Sequence, residues 1–342
     1  MDGVGILLPL ESEPLVERFQ WQKDPDTLSA IEDSVELELV RWLTENLPAH
    51  PLLRIGIGDD AAVLRWPTGG DLVLTTDAVT DEVDFILAET DPQLVGHKAL
   101  GVNLSDLAAM AAEPVAAVVS LVLPRKGCGG LDAKGLAIEL YRGMLPLAEQ
   151  FSVAIAGGDT NSWDGPLAIS ITAFGRVTER GPLMRSGAKP GDLLLVTGAL
   201  GGSILGRHLR VEPRVREALL LNERYELTAG MDISDGLALD ASRLAAASGC
   251  GVALRLEQIP ISADAVRLAA CDRATPLEHA LGDGEDFELL LTAPPEVAER
   301  IMRDQPLGVP VTIIGECVTQ AGLWQVEAEG RLTTLDASGY RH

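Results

Sequence analysis

The stretch that decides the fold begins at Asp91-Pro92 and continues through His97-Lys-Ala-Leu-Gly-Val-Asn-Leu-Ser-Asp-Leu-Ala-Ala-Met110. An Asp at the N-cap followed by Pro in the first turn is typical of a helix start. The residues that follow are rich in Ala and Leu, so they predict a helix that runs toward residue 112. Asp106 lies inside this apolar helix. A charge in such surroundings needs a partner, and a metal ion would supply one.

Strands and helices mix on both sides of this segment, which places the fold in the α/β (α+β) class. Residues 115–123 form a continuous, β-branched run that predicts a buried strand, and 71–76 predicts a short strand ending at Asp77. A capping box at Asp33 and Glu36 predicts a helix over 34–46. Further elements predicted in this half are a helix over 131–150, strands over 153–156 and 167–177, and a loop at Gly157-Gly-Asp-Thr160.

The length of 342 residues predicts two domains. The Gly- and Pro-rich stretch 178–192 is the candidate boundary. It divides the chain into an N-terminal extension (1–30), an N-terminal domain (31–178) and a C-terminal domain (179–342). Elements predicted after the boundary are strands over 193–197, 251–256, 287–292, 311–318 and 323–326, a helix opened by Gly201-Gly202, and a helix over 237–248.

Composition excludes several classes of protein. The chain carries 51 acidic and 27 basic side chains, a formal net charge of −24, and a sequence pI near 4.5. Such a balance disfavours a nucleic-acid binder, but it is compatible with phosphate chemistry, because carboxylates can hold magnesium. No apolar run is long enough to predict a membrane span. The four cysteines are scattered without a CxxC pair, which argues against zinc or a disulfide framework and favours a cytoplasmic location.

Acidic residues recur beside glycine at the ends of predicted elements. Any one of these would be an ordinary cap or turn, but the recurrence of such loops in one chain indicates a site for hard cations and phosphates. Common nucleotide motifs are absent from the sequence, since there is no GxxxxGK[ST] and the third glycine of a dinucleotide fingerprint is missing. The acidic positions are Asp59, Asp60, Asp77, Asp106, Asp159, Asp232, Asp235, Glu285 and Asp286. Asp106 differs from the others because it lies inside a predicted helix.

These motifs, in this order, resemble the thiamine-monophosphate kinase family of the aminoimidazole-ribonucleotide-synthetase-like ATP-binding superfamily. The resemblance covers residues 36–340. It depends on Gly56-Ile-Gly-Asp-Asp-Ala61, Thr75-Thr-Asp77, 97–110, Gly157-Gly-Asp-Thr160, Arg185-Ser-Gly-Ala-Lys-Pro-Gly-Asp192, Asp232-Ile-Ser-Asp-Gly-Leu237 and Gly284-Glu-Asp-Phe-Glu-Leu289.

The resemblance implies roles for particular residues in the transfer of a phosphoryl group from ATP to thiamine monophosphate. Arg185, Asp106 and Asp159 would be catalytic, with Arg185 stabilising the transferred charge. Residues implied to contact ATP are Tyr141, Gly158, Asp159, Arg185 and Ser234; those implied to contact thiamine monophosphate are Asp84, Glu285 and Tyr340; those implied to bind several Mg²⁺ ions are Asp60, Thr75, Thr76, Asp77, Asp106, Asp159, Asp232 and Asp235.

The implied reaction brings two phosphates together, and magnesium can neutralise their repulsion and align the attacking and leaving oxygens. We therefore expect direct in-line transfer without a phospho-enzyme. No general base is required, because a phosphate monoester is largely deprotonated near pH 7. The resemblance also implies a homodimer in which the N-terminal domains share a β-barrel, with the C-terminal α/β domain beside it.

Two positions depart from the family pattern. The family usually shows Gly-x-His-Phe where this chain has Glu82-Val83-Asp84-Phe85, and Phe287 stands where tyrosine is common. A carboxylate at Asp84 would pair with the cationic thiazolium, or it would indicate a shifted substrate. Two alternatives stay open: another ATP-dependent enzyme of the same superfamily, or a non-catalytic nucleotide sensor on the same fold.

Overall fold

The computed structural model describes residues 42–43, 45–48, 50–51, 53–55, 63–64 and 71–340. The predicted extension over 1–30, the capping pair Asp33 and Glu36, and the turn that carries Asp59 and Asp60 lie outside the described residues. Strands β1 (Leu53–Ile55) and β2 (Val63–Leu64) form a separate antiparallel pair.

The N-terminal half is built on a four-stranded sheet in the order β3-β6-β4-β5. Its β4–β5 pair is parallel and its other two pairs are antiparallel. The strands are β3 (Leu72–Thr80), β4 (Ala112–Pro124), β5 (Ala154–Trp163) and β6 (Ala168–Val177). Helices α1 (Pro92–Ala109) and α2 (Ala133–Gln150) cover one face of the sheet and contribute to its core.

Helix α1 begins where the sequence predicts, because the Asp91 carboxylate accepts a hydrogen bond of 2.9 Å from the Gln93 amide. It is buried on nearly every side, including Gly96, where an added Cβ would lie 1.9 Å from the Leu140 carbonyl oxygen. That close approach packs α1 directly against α2. The helix ends at Ala109 rather than near residue 112, since Ala112 already begins β4.

Two other predicted boundaries in this half are wrong. Asp77 lies inside β3 rather than at its end, and the predicted loop at Gly157-Gly-Asp-Thr160 is part of β5. Residues 157–160 pair with 118–121 of β4. Gly158 is needed for that pairing, because an added Cβ would lie 1.7 Å from the Val119 carbonyl oxygen.

The C-terminal half is built on a seven-stranded sheet in the order β13-β12-β9-β11-β7-β10-β8, antiparallel except for the β9–β12 pair. The predicted elements over 193–197, 237–248 and 311–318 are confirmed. Gly201-Gly202 opens only the short 3₁₀ turn Ser203–Leu205. The elements are β7 (Leu193–Thr197), α3 (Val215–Arg224), β8 (Ala229–Asp232), α4 (Leu237–Ser248), β9 (Gly251–Leu254), α5 (Ala263–Ala269), α6 (Pro276–Gly282), β10 (Leu289–Ala293), α7 (Pro295–Asp304), β11 (Val311–Val318), β12 (Gly322–Val326) and β13 (Leu332–Thr334).

Helix α1 connects the two halves. The His97 Nε2 lies 2.8 Å from the Val211 carbonyl oxygen, and the Ser105 hydroxyl donates a 2.6 Å hydrogen bond to Asp232. The largest hydrophobic cluster accordingly includes side chains from both halves, such as Leu104 and Leu195. Residues of α1, of β3 and of the loop after β8 line a cleft between the two halves. Within the described ranges, no helix is long and apolar enough to cross a bilayer.

Candidate functional site

Two cavities meet between the halves. The larger has a volume of about 560 Å³ and is lined mainly by charged and polar side chains. The smaller, of about 450 Å³, is lined largely by apolar side chains, including Val73, Met110 and Met231. Asp106 and Arg185 line both, so they mark the junction. The sequence-predicted residues that line the larger cavity are Asp77, Asp84, Asp106, Arg185, Asp232, Ser234, Asp235, Glu285 and Tyr340.

Helix α1 supplies one wall of the larger cavity. Lys98, Val102 and Asp106 all line it, because residues four apart lie on one face of a helix. Asp106 accepts a hydrogen bond from the Thr75 hydroxyl of β3. Burial raises the pKa of Asp106, while the Thr75 hydrogen bond and the positive charge of Arg185 oppose that rise.

Asp232, at the end of β8, faces Asp106 across the junction. Asp232 is 2% exposed, and its pKa is raised to about 7, first by burial and then by the negative charge of Asp106. A buried carboxylate and a partly buried one that repel each other are suited to a hard divalent cation with oxygen ligands, so the residues present fit Mg²⁺. Among the described residues, no three His, Cys, Asp or Glu side chains form a ready metal cluster. Water or substrate phosphates would therefore supply further ligands.

The loop after β8 is held by two residues that sequence reasoning missed. Asp240 accepts hydrogen bonds from the Ser234 amide (3.1 Å) and the Asp235 amide (2.9 Å). Arg243 forms ion pairs with Asp235 and Asp240. Tyr340 packs on the same loop, and its amide donates a 2.9 Å hydrogen bond to the Asp235 carbonyl. The only sequence signal for Asp240 and Arg243 was their position in the first two turns of α4.

The acidic residues of 284–289 have different partners. Glu285 lines the cavity and forms an ion pair of 2.5 Å with Lys98. Asp286 instead accepts a 2.9 Å hydrogen bond from the Gly201 amide and pairs with Arg207, so it anchors the loop. The backbone of Glu285 is left-handed, with φ of 52°, a conformation that non-glycine residues seldom adopt.

Asp84 stabilises its own turn. Its Oδ2 accepts a 2.7 Å hydrogen bond from the Thr80 amide and lies 3.3 Å from the Thr80 hydroxyl. The Asp84 carbonyl oxygen accepts a further hydrogen bond of 2.8 Å from Lys98. The carboxylate that replaces the usual histidine therefore has a local structural partner as well as a place on the cavity wall.

Several predicted site residues lie away from the junction within one chain. Asp159 and Gly158 are on β5, at the opposite edge of the sheet from β3, three strand spacings or roughly 14 Å away. Thr76 hydrogen-bonds to the Ile171 carbonyl and lies on the alternate face from Thr75 and Asp77. Tyr141 is 2% exposed in the core, and burial raises its pKa. Asp60 lies outside the described residues.

Comparisons with known proteins agree with this architecture. Residues 58–177 match the N-terminal domain model of AIR synthase related proteins, and 189–323 match the C-terminal one. A structure of E. coli HypE, a hydrogenase maturation protein, shares the fold at 21% identity, with a TM-score of 0.70 over 88% of this chain and 98% of that one.

Thiamine-monophosphate kinases are similar over nearly the whole chain. The one from Rhodopirellula baltica is 45% identical over 315 residues, covering 90% of this chain and 97% of the relative. The crystal structure from Stenotrophomonas maltophilia has a TM-score of 0.73 at 30% identity, covering 88% of this chain and 98% of that one. A structure described as AaThiL complexed with AMPPCP and TMP has a TM-score of 0.69 at 29% identity, covering 90% of this chain and 95% of that one. The chain therefore has the two-domain α/β fold of AIR synthase related proteins and belongs to the thiamine-monophosphate kinase family.

Proposed function

We propose that this protein transfers the γ-phosphoryl group of ATP to thiamine monophosphate, forming thiamine diphosphate and ADP in thiamine diphosphate biosynthesis. The observation that carries the proposal is the meeting of two chemically different cavities at Asp106 and Arg185. The largely apolar cavity suits the base of a nucleotide, and the charged cavity suits a phosphorylated cation. A related structure holds an ATP analogue together with TMP.

Phosphoryl transfer of this kind depends on positioning and charge neutralisation more than on covalent chemistry. Asp106 and Asp232 would hold magnesium with the Thr75 hydroxyl, and Asp77 and Asp235 line the same cavity. Bound magnesium would neutralise the phosphate charges. Asp60 would join this set, as the family resemblance implies. Arg185, at the junction, would stabilise negative charge on the transferred group.

We propose a direct in-line reaction. Among the described residues that line the two cavities there is neither cysteine nor histidine, and the carboxylate that accepts the Thr75 hydrogen bond is Asp106, which would be engaged with magnesium rather than free to activate that hydroxyl. The phosphate of thiamine monophosphate would attack directly, since it is already anionic near pH 7. Ser234 would contact ATP, whereas Asp84, Glu285 and Tyr340 would contact the thiamine end.

We further propose a homodimer in which two four-stranded sheets form a shared barrel. Helices cover one face of the sheet, while Leu72 and Leu74 on the other face of β3 are 45% and 57% exposed. Asp159 lies opposite Ser120 of β4 and points to this helix-free face. Its strand, β5, is the edge strand on the opposite side of the sheet from β3. Asp159 and Gly158 would contribute to ATP binding in this assembly rather than within one chain. Tyr141 is buried in the core on the helix-covered side of the sheet, so the dimer would not bring it to ATP. Light scattering on the purified protein, with Leu74→Lys as the disrupting variant, tests the dimer.

The test of function is an end-point assay with purified protein, ATP, magnesium and thiamine monophosphate. We expect equal amounts of ADP and thiamine diphosphate, both abolished by EDTA. ADP without thiamine diphosphate would overturn the substrate and favour another enzyme of the superfamily. Neither product, with nucleotide binding retained, would favour the sensor alternative. The cytoplasmic location stays a prediction from the cysteine pattern.

A further inference from the structure

We infer that Lys98 is a positioning residue for the thiamine end of the cavity, which it organises by holding the Glu285 carboxylate and the 80–85 turn together. The inference rests on the proposed function, because it concerns recognition of the substrate in that cavity. It assigns a task to a lysine of the 97–110 motif to which the family resemblance gave no role.

Lys98 is buried to an unusual degree for its residue type. The whole residue is 0% exposed, and lysine is almost never fully buried unless its charge is paired. Its ammonium donates hydrogen bonds to the Asp84 carbonyl oxygen (2.8 Å) and to Glu285 Oε1 (2.5 Å). These partners belong to a turn of the N-terminal half and to a loop of the C-terminal half. Lys98 therefore ties the two walls of the cavity together.

The position of Lys98 along α1 separates it from the phosphate chemistry. Lys98, Val102 and Asp106 share one helix face, and eight residues of helix rise by roughly 12 Å. Asp106 marks the junction with the nucleotide cavity, so Lys98 marks the opposite end. A phosphate placed near Asp106 would leave the organic part of the substrate pointing toward Lys98 and Glu285.

Glu285 depends on Lys98 for its charge balance. Among the described residues, Lys98 is the only ion-pair partner of Glu285. The other cations that line this cavity are not ion-pair partners of Glu285. Arg243 pairs with Asp235 and Asp240, and Arg185 lies at the junction of the two cavities. Nearby His208 is buried, and its pKa is lowered first by burial and also by the charge of Lys98, while the hydrogen bond to the Ser203 carbonyl and the charge of Glu285 oppose that fall.

The Glu285 backbone is placed before any substrate arrives. Its left-handed conformation is held by a 2.7 Å hydrogen bond from the Glu285 amide to the Ser234 carbonyl and by one of 2.8 Å from the Phe287 amide to the Ile233 carbonyl. The side chain remains 32% exposed toward the cavity. Lys98 thus orients a carboxylate whose main chain is already fixed, and the remaining exposed surface is available to a cationic ring.

The test is a double-mutant cycle with Lys98→Met and Glu285→Gln, with KM measured for thiamine monophosphate and for ATP. We expect Lys98→Met to raise KM for thiamine monophosphate about tenfold. This is less than the effect of breaking a fully buried ion pair, because Glu285 is partly exposed to solvent. KM for ATP should change little. The double variant should be no worse than Glu285→Gln alone, because Lys98 acts through that carboxylate.

The inference would be overturned by an unchanged KM for thiamine monophosphate, by equal changes in both KM values, or by strictly additive effects in the cycle. A lower KM would overturn it too, since Lys98 would then compete with the substrate cation. If thermal unfolding shows that Lys98→Met does not fold, Lys98→Gln retains a hydrogen-bond donor without the charge and decides by the same criteria. A wild-type protein that forms no thiamine diphosphate would refute the proposed function instead.

Discussion

At the Asp106 end of the larger cavity two carboxylates face each other across the junction, whereas at the Lys98 end a carboxylate and an ammonium lie 2.5 Å apart. Burial raises the pKa of both Asp106 and Asp232, so the first end holds unfavourable charge that a divalent cation would relieve. The second end balances its charge internally. Under the proposed function, one end would require a bound ion to become competent, while the other is preorganised by the protein alone.

The largest expected effect comes from removing one carboxylate at the cation-requiring end. Asp106→Asn should lower kcat by about a thousandfold or more, because charge stabilisation at a transferred group is commonly of that size. The fold should persist, since the amide oxygen can still accept the hydrogen bond from Thr75. Steady-state kinetics and circular-dichroism melting measure the two quantities, and near-normal kcat would remove Asp106 from the metal site.

Magnesium binding should depend on pH at this end. The pKa of Asp232 is raised to about 7, and a carboxyl must lose its proton to bind a metal. Affinity should therefore rise as the pH increases from 6 toward 8, by up to about tenfold per pH unit below the pKa. Calorimetry in two buffers of different ionisation enthalpy should detect proton release near pH 6.

Asp232→Asn is the matched control for that measurement. It removes the titrating carboxyl but retains an acceptor for the Ser105 hydroxyl. Weak binding that no longer changes over this pH range is expected. Proton release that persists unchanged in the variant would show that another group is responsible.

The smallest effect is expected from Asp84, at the preorganised end. Asp84→Ala removes the acceptor for the Thr80 amide and should cost about 1 kcal/mol of unfolding free energy, with a modest rise in KM for thiamine monophosphate. Asp84→Asn retains an acceptor and should stay close to wild type in both chemical denaturation and kinetics. If Asn and Ala are equally impaired, the negative charge itself contacts the substrate, and the comparison between the two ends must be revised.

Local signals predicted much of the fold. The Asp91 cap, the continuous apolar run of β4 and the strands over 193–197 and 311–318 are all present. Each of these features depends on residues that are close in sequence. The Asp91 carboxylate caps amides of the next helical turn, and the strands are runs of apolar side chains. The loop predicted at Gly157-Gly-Asp-Thr160 failed for the opposite reason. Glycine and aspartate indicate a turn from local sequence, but Gly158 is needed because its backbone lies close to β4, a neighbouring strand that is distant in sequence.

The sequence by itself determined which residue types this site would contain, because carboxylates beside glycine and one arginine are recognisable from their order along the chain. Only the tertiary structure decided which of them work together. It brought Asp106 to Asp232 and placed Asp159 at the far edge of the sheet. It also paired Lys98 with Glu285, 187 residues away in sequence. Such contacts arise from the packing of α1 against both sheets, and no local pattern of residues encodes that packing.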